Sequence, residues 1–148
     1  DEVHIRGYTA TRELIRLAEF TPDMHILDVG CCIGGSTRRL SRETGCRVTG
    51  VDLSDVYIDT ANRLTQLLDM QERVAFHACS ALELPFEDNF FDGVWSLQMN
   101  MNVEDKLSWL RETCRVLKPG VGVPCSMKCA ATGTRHCIFR CRGRRTVP

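Results

Sequence analysis

Apolar and polar positions along the 148-residue chain alternate between short apolar runs and stripes of helical period. From Thr9 or Thr11 to Phe20, Leu14, Ile15, Leu17 and Ala18 recur at helical spacing, and Thr21-Pro22 stops the helix. HILDV at 25–29 is a compact apolar run of buried-strand type. Gly34-Gly35-Ser36 opens a helix that ends near Thr44-Gly45, and RVTGV at 47–51 predicts a second strand closed by Asp52. Ser54 then serves as N-cap, with Asp55 favourably placed in the first turn, for a helix to about Met70. Residues 74–78 and 91–96 predict a third and fourth strand, separated by a loop carrying ELPFEDN. Residues 105–117 form an amphipathic helix with Leu107, Leu110, Cys114 and Leu117 on one side, ended by Lys118-Pro119-Gly120.

Strands alternating with helices of this length imply right-handed crossovers. The fold class is therefore α/β, a Rossmann-like, doubly wound parallel sheet with helices on both faces. In such sheets ligands gather beyond the C-terminal strand ends, here residues 28–35, 52–54, 79–81 and 96–100.

Composition adds a boundary. Hydrophobic content of 43% and charged content of 26% are those of an ordinary globular domain, and the net charge of zero conceals a split. Residues 121–148 hold six Lys/Arg and no Asp or Glu, leaving 13 basic against 19 acidic side chains in residues 1–120. The expected organisation is a domain over 1–120 and a basic Cys/Arg-rich tail over 121–148. No apolar run approaches the roughly 18 residues of a membrane span, and no signal-type stretch opens the chain. The chain starts without Met, as a fragment or processed product would. Cys31, Cys32, Cys46, Cys79 and Cys114 lack paired spacing and read as reduced thiols of a cytoplasmic protein.

The first turn, LDVGCCIGGSTRRL, fits two templates. A dinucleotide loop would use Gly30, position 32 and Gly35; an S-adenosylmethionine loop would use Asp28, Gly30, position 32 and Gly34. Both lack their middle glycine, because Cys32 stands there. Asp52 suits the ribose of either ligand. Asp28 separates them: a carboxylate at the strand end repels a diphosphate at the helix N-terminus, whereas it attracts the ammonium of the methionine moiety.

Four segments in order, ILDVGCCIGG, VTGVDLS, ALELPFEDNFFDGVWS and ETCRVLKPG, resemble class I S-adenosylmethionine-dependent methyltransferases of the small-molecule type. HIRGYTATRELIRLA and QMNMNVEDK are also similar to the group containing glycine, sarcosine and dimethylglycine N-methyltransferases. The resemblance implies that Asp28, Gly30, Cys32 and Gly34 face the methionine end of the cofactor and Asp52 the ribose. It implies Leu53 against the adenine, Cys79-Ser80-Ala81 at the adenine edge, and Ser96 and Leu97 near the reacting methyl group. It also implies a small-molecule methyl acceptor, an amine being one class.

Two positions depart from that pattern. Cys32 replaces glycine and Ser80 replaces an aspartate. A side chain at position 32 is strained if φ is positive there, at a cost of about 1–3 kcal/mol, and serine for carboxylate costs about 1 kcal/mol more. Methyl transfer from a sulfonium needs proximity and exclusion of water rather than a covalent nucleophile. No catalytic residue is therefore specified. His4, Tyr8, Gln98 and Asn100 are candidates for the acceptor side. His77 reads as an edge or hydrogen-bonded histidine, Met99 and Met101 as pocket wall or core, and Trp95 and Trp109 as core aromatics.

After KPG the resemblance stops. Val121–Val123 is too short for a fifth strand and Pro124 cannot donate to a ladder, so the last strands of the complete fold are expected to be missing. An early end to the sheet would invite dimerisation. Cys125, Cys129, His136, Cys137 and Cys141 have loose spacing for zinc, and Arg140–Arg145 could touch phosphates by charge alone; a solvated tail is the simpler expectation, without nucleic acid or metal. Three functions remain to be separated: a small-molecule methyltransferase, a non-catalytic remnant of one, and, more distantly, an NAD-dependent oxidoreductase.

Overall fold

The computed structural model describes residues 7–97, 99, 102–119, 122–129 and 133–140. Its elements run α1 (Gly7–Ala18), β1 (His25–Val29), α2 (Gly35–Thr44), β2 (Arg47–Asp52), α3 (Asp55–Leu67), β3 (Val74–Ala78), β4 (Gly93–Leu97), α4 (Lys106–Val116), β5 (Gly122–Cys129) and β6 (Gly133–Arg140). The sheet has the order β3-β2-β1-β4-β5-β6. β1 pairs in parallel with β2 and β4, setting Asp28 beside Gly50 and Trp95.

The period of two in β1 divides the core. Ile26 faces one side with Leu14, Ile15, Leu40, Val48 and Trp95. Leu27 and Val29 face the other with Val94, Phe91, Trp109, Val116 and Leu117. Helices α1 and α2 thus cover one face and α4 the opposite one, while Ile58 and Ala61 of α3 pack on Val74 and Phe76 of β3. Trp95 and Trp109 are core residues, at 0% and 5% exposure. Local chemistry explains the element ends. Gly45 takes a left-handed φ of 80° and donates to the Ser41 carbonyl, closing α2. Ser54 and Asp105 cap α3 and α4 by accepting from the N–H groups of Tyr57 and Ser108.

Three expectations need correction. Of the stripe through Leu107, Leu110, Cys114 and Leu117 only Leu117 is buried, at 2% exposure; the buried face of α4 is Trp109, Thr113 and Val116, and Leu107 is 67% exposed. Both stripes have helical period, and the large ring of Trp109 together with Val116 fills the space over β1 and β4. The tail, secondly, contributes strands. β5 pairs in parallel with β4 through Ser96↔Cys125 and Leu97↔Ser126, and β6 lies antiparallel to β5, with Pro124 opposite Ile138. Backbone pairing needs no apolar periodicity, which is why composition concealed these strands. The sheet therefore continues past residue 120, and the early end invoked for dimerisation is absent. Thirdly, Cys31, Cys32, Cys46 and Cys79 are free thiols, but Cys114 is disulfide-bonded.

Among the described residues no helix is long and apolar enough to cross a membrane. His4, Gln98, Asn100, Met101 and Cys141 lie outside the described residues, and so does Arg142–Arg145 of the arginine run.

The two stripes of α4 make opposite forecasts. Trp109→Ala should lower unfolding free energy by about 3–5 kcal/mol, as expected for a large buried ring. Leu107→Ser should change it by less than about 0.5 kcal/mol. Urea denaturation of both variants checks the assignment, and equal losses would reverse it.

Candidate functional site

Residues from the ends of β1, β2 and β3 meet at one cleft. The turn after β1 is stapled to β2, since the N–H groups of Gly30 and Cys31 both donate to the Val51 carbonyl, at 2.8 and 3.0 Å. Gly30 has φ +79°, and a Cβ there would overlap the Met99 side chain. Gly34 has φ +78°, and a Cβ there would overlap the Phe76 ring and the Arg38 guanidinium. Both positions therefore demand glycine. The turn closes with Gly34 N–H donating to the Cys31 carbonyl at 2.9 Å.

Cys32 has φ +52°, in the left-handed region. The condition for strain is met: a cysteine occupies backbone geometry that glycine takes more cheaply. Its N–H donates to Asp52 Oδ2 at 2.9 Å, while Ser54 N–H donates to Oδ1 at 3.1 Å. These bonds orient the Asp52 carboxylate and leave about two of its roughly four lone-pair sites for a ligand. The backbone carbonyl of Asp52 also accepts from Cys79 N–H at 3.0 Å, holding the start of the β3–β4 loop.

Asp28 lies beneath the turn at 1% exposure. Its Oδ2 accepts from the hydroxyls of Thr37 (2.7 Å) and Ser36 (3.4 Å) at the start of α2. Its Oδ1 is buried without a partner among the described residues. Burial pushes its pKa up to about 7, against the pull of the two hydroxyls and with a smaller push from Asp52. Burial therefore opposes the charge expected at this strand end and favours the protonated carboxyl. Burial also pushes the Cys31 and Cys79 thiols up, Cys31 the more strongly.

The cleft encloses about 410 Å³. Gly30, Val51, Asp52 and Leu53 supply its floor and one lip, and Cys79, Ser80, Ala81 and Leu82 supply a wall. Met99 and residues 102–105 close the other side. Leu53 and Leu82 are 78% and 41% exposed at its mouth. The structure thus brings together Gly30, Asp52, Leu53, Ser80 and Ala81, with Cys32 joined through its bond to Asp52. Asp28 lies under the turn, and Gly34 closes it. It does not bring in Ser96 or Leu97. Ser96 is buried and donates to the Val29 carbonyl at 3.0 Å, and Leu97 packs against the α1–α2 side of the core.

Sequence reasoning missed Asn102, Val103, Glu104 and Asp105 as lining residues. Their signal was the capping carboxylate of Asp105, which places the preceding turn at the C-terminal edge of the sheet. Met99, read as wall or core, is wall. His77 is exposed on β3 with its ring edge-on to Phe86 at 5.9 Å, away from the cleft lining.

The features that test for a methyl donor are an oriented carboxylate, a buried carboxyl with an unpartnered oxygen, and two positions where a Cβ does not fit. They suit a ligand bearing a diol and an ammonium. Comparison with known proteins agrees. Residues 27–123 match the family model described as a methyltransferase domain. The chain is 39% identical over 95 residues to the chloroplastic tocopherol O-methyltransferase of Arabidopsis thaliana, covering 64% of this chain and 27% of that protein. A structure of geranyl diphosphate C-methyltransferase from Streptomyces coelicolor A3(2) with Mg2+, geranyl diphosphate and S-adenosyl-L-homocysteine superimposes with a TM-score of 0.78. It is 29% identical, over 83% of this chain and 45% of that one. A putative sarcosine dimethylglycine methyltransferase from Galdieria sulphuraria shares the fold, at TM-score 0.77 and 24% identity, over 80% of this chain and 46% of that one. The chain belongs to the methyltransferase domain family, with a class I fold. It spans about a quarter of the tocopherol enzyme and under half of either structure.

Asp28 gives a pH signature. Its folded pKa is raised, so between about pH 4 and 7 the folded form keeps a proton that the unfolded chain has released, and stability falls as pH rises through that window. Asp28→Asn should remove this fall while leaving stability at pH 4 little changed. Urea midpoints at pH 4.5, 6 and 8 check it; an unaltered slope counts against the buried carboxyl as its source.

Proposed function

We propose that the chain holds S-adenosylmethionine across the ends of β1, β2 and β3 and serves methyl transfer to a small-molecule acceptor. The observation that carries this reading is the Asp52 carboxylate, fixed by the N–H groups of Cys32 and Ser54 at the floor of the cleft. In this reading Asp52 accepts from the two ribose hydroxyls. Leu53, Ala81 and Leu82 flank the adenine, and Ser80 meets its edge with a hydroxyl in place of a carboxylate. Asp28, Gly30, Cys32 and Gly34 face the methionine moiety, the carboxyl of Asp28 releasing its proton to solvent water when the ammonium binds.

When bound, the cofactor supplies a methyl group already activated on a sulfonium. The chain's own residues then have to bind, orient and exclude water. An amine is the acceptor class we favour, because a neutral amine needs no base. The carboxylates among the described lining residues are Asp52, which this reading gives to the ribose, Asp105, which caps α4, and Glu104. Of the relatives above, one is an O-methyltransferase and one a C-methyltransferase by name, and the third is named for the amines sarcosine and dimethylglycine, so the acceptor atom is a proposal of this reading alone. A cytoplasmic setting is supported by the four free thiols and opposed by the disulfide at Cys114.

Calorimetric titration with S-adenosylhomocysteine tests the reading. Micromolar binding is expected. Asp52→Ala should weaken it by about tenfold or more, as for loss of a hydrogen-bonded charge. Cys32→Gly should tighten it by up to about tenfold by removing a Cβ and a sulfur from the turn that packs against the ligand. Heat with NADH instead would favour an oxidoreductase, and no heat with either would favour a non-catalytic remnant.

A further inference from the structure

The cleft wall made by residues 79–82 lies in the β3–β4 loop, where Cys79 and Ala81 pack against the core cluster. Cys79 N–H bonds to the Asp52 carbonyl, and Ser80 accepts from Leu82 N–H at Oγ and from Glu83 N–H at its carbonyl, both at 3.2 Å. Beyond that turn the loop is gripped from α4. Leu84 N–H donates to Glu112 Oε2 at 3.0 Å, and the Leu84 carbonyl accepts from Arg115 Nη2 at 2.8 Å. Arg115 Nη1 reaches the Phe86 carbonyl at 2.7 Å and Asp88 Oδ1 at 2.9 Å. The backbone carbonyl of Arg115 accepts from Asn89 N–H at 2.9 Å.

One guanidinium therefore spans three alternate loop residues, and its remaining donors are spent on Glu112, with Nε and Nη2 at 2.9 and 2.8 Å. Both side chains are mostly covered, at 25% and 21% exposure. Only a planar fork with five donors makes this set at once; a lysine ammonium does not. The same helix begins at Asp105, whose preceding turn forms the facing side of the cleft. Helix α4 thus touches the cleft at one end and holds the opposite wall from its other end.

We propose that Arg115 and Glu112 are positioning residues that set the base-binding wall of the cleft through the Leu84–Asn89 segment, without touching ligand. This rests on the cofactor reading above, and it assigns the pair a role in recognition rather than in stability alone. The wall's distance from Asp52 and Leu53 is then fixed by a rigid helix, so that a purine fits between them without ordering the loop afresh.

The test uses the full chain, its Arg115→Ala, Arg115→Lys and Glu112→Gln variants, and three readouts. These are S-adenosylhomocysteine affinity, preference over the 6-oxo analogue S-inosylhomocysteine, and hydrogen exchange. Arg115→Ala should weaken S-adenosylhomocysteine by about tenfold and narrow the preference between the two bases. Its exchange should rise across residues 79–89 and stay unchanged in β1 and β2. Arg115→Lys should recover only part of the affinity. Faster loop exchange with affinity within about twofold of the parent, and an unchanged preference, would reduce the pair to bracing and overturn the proposal. A parent chain that fails to bind S-adenosylhomocysteine would overturn the cofactor reading together with this one. If Arg115→Ala also loosens β1 and β2, Glu112→Gln decides: weaker binding with protected strands supports the proposal, and unchanged binding overturns it.

Discussion

Asp52 is the residue on which three pieces of chain converge. Its carboxylate receives the N–H of Cys32 from the turn after β1 and the N–H of Ser54 at the start of α3. Its carbonyl receives the N–H of Cys79 where β3 gives way to a loop. Each of these segments bears one boundary of the cleft. A charged acceptor taking two amide donors is strong by the standard of protein hydrogen bonds, and it also leaves an acid facing outward with spare lone pairs. One side chain thus ties the turns together and leaves acceptor capacity free at the floor of the cleft.

Beneath it, Asp28 does a different job from the one its position in the strand suggests. A carboxylate buried at a strand end was read as a standing negative charge, which would repel a diphosphate. The fold instead surrounds it with the Thr37 and Ser36 hydroxyls and takes it out of water, which raises its pKa.

Much of the fold could be read from the residues because β1 to β4 are short apolar runs with Gly, Pro, Asp or Ser at their ends, and these punctuate a parallel sheet locally. The floor and one wall of the cleft were legible for the same reason: Gly30, Asp52, Leu53, Ser80 and Ala81 sit at strand ends, where topology sends ligands. What local pattern could not supply was the outcome of competition in three dimensions. Leu107 and Leu110 share a stripe as regular as that of Trp109, Thr113 and Val116, and only the volume over β1 and β4 chooses between them. Ser96 and Leu97 stand at a strand end as Asp52 does, yet their side chains turn toward the β1 backbone and the α1–α2 side of the core. Strands β5 and β6 escaped notice because their pairing is carried by main chain, on which an unpatterned sequence has no bearing.

Leu53 and Leu82 stand largely bare at the cleft mouth, on segments pinned through Asp52 and Cys79. Each keeps apolar surface in water on a backbone already hydrogen-bonded in place, so an apolar face that covers them releases that water without first ordering the chain.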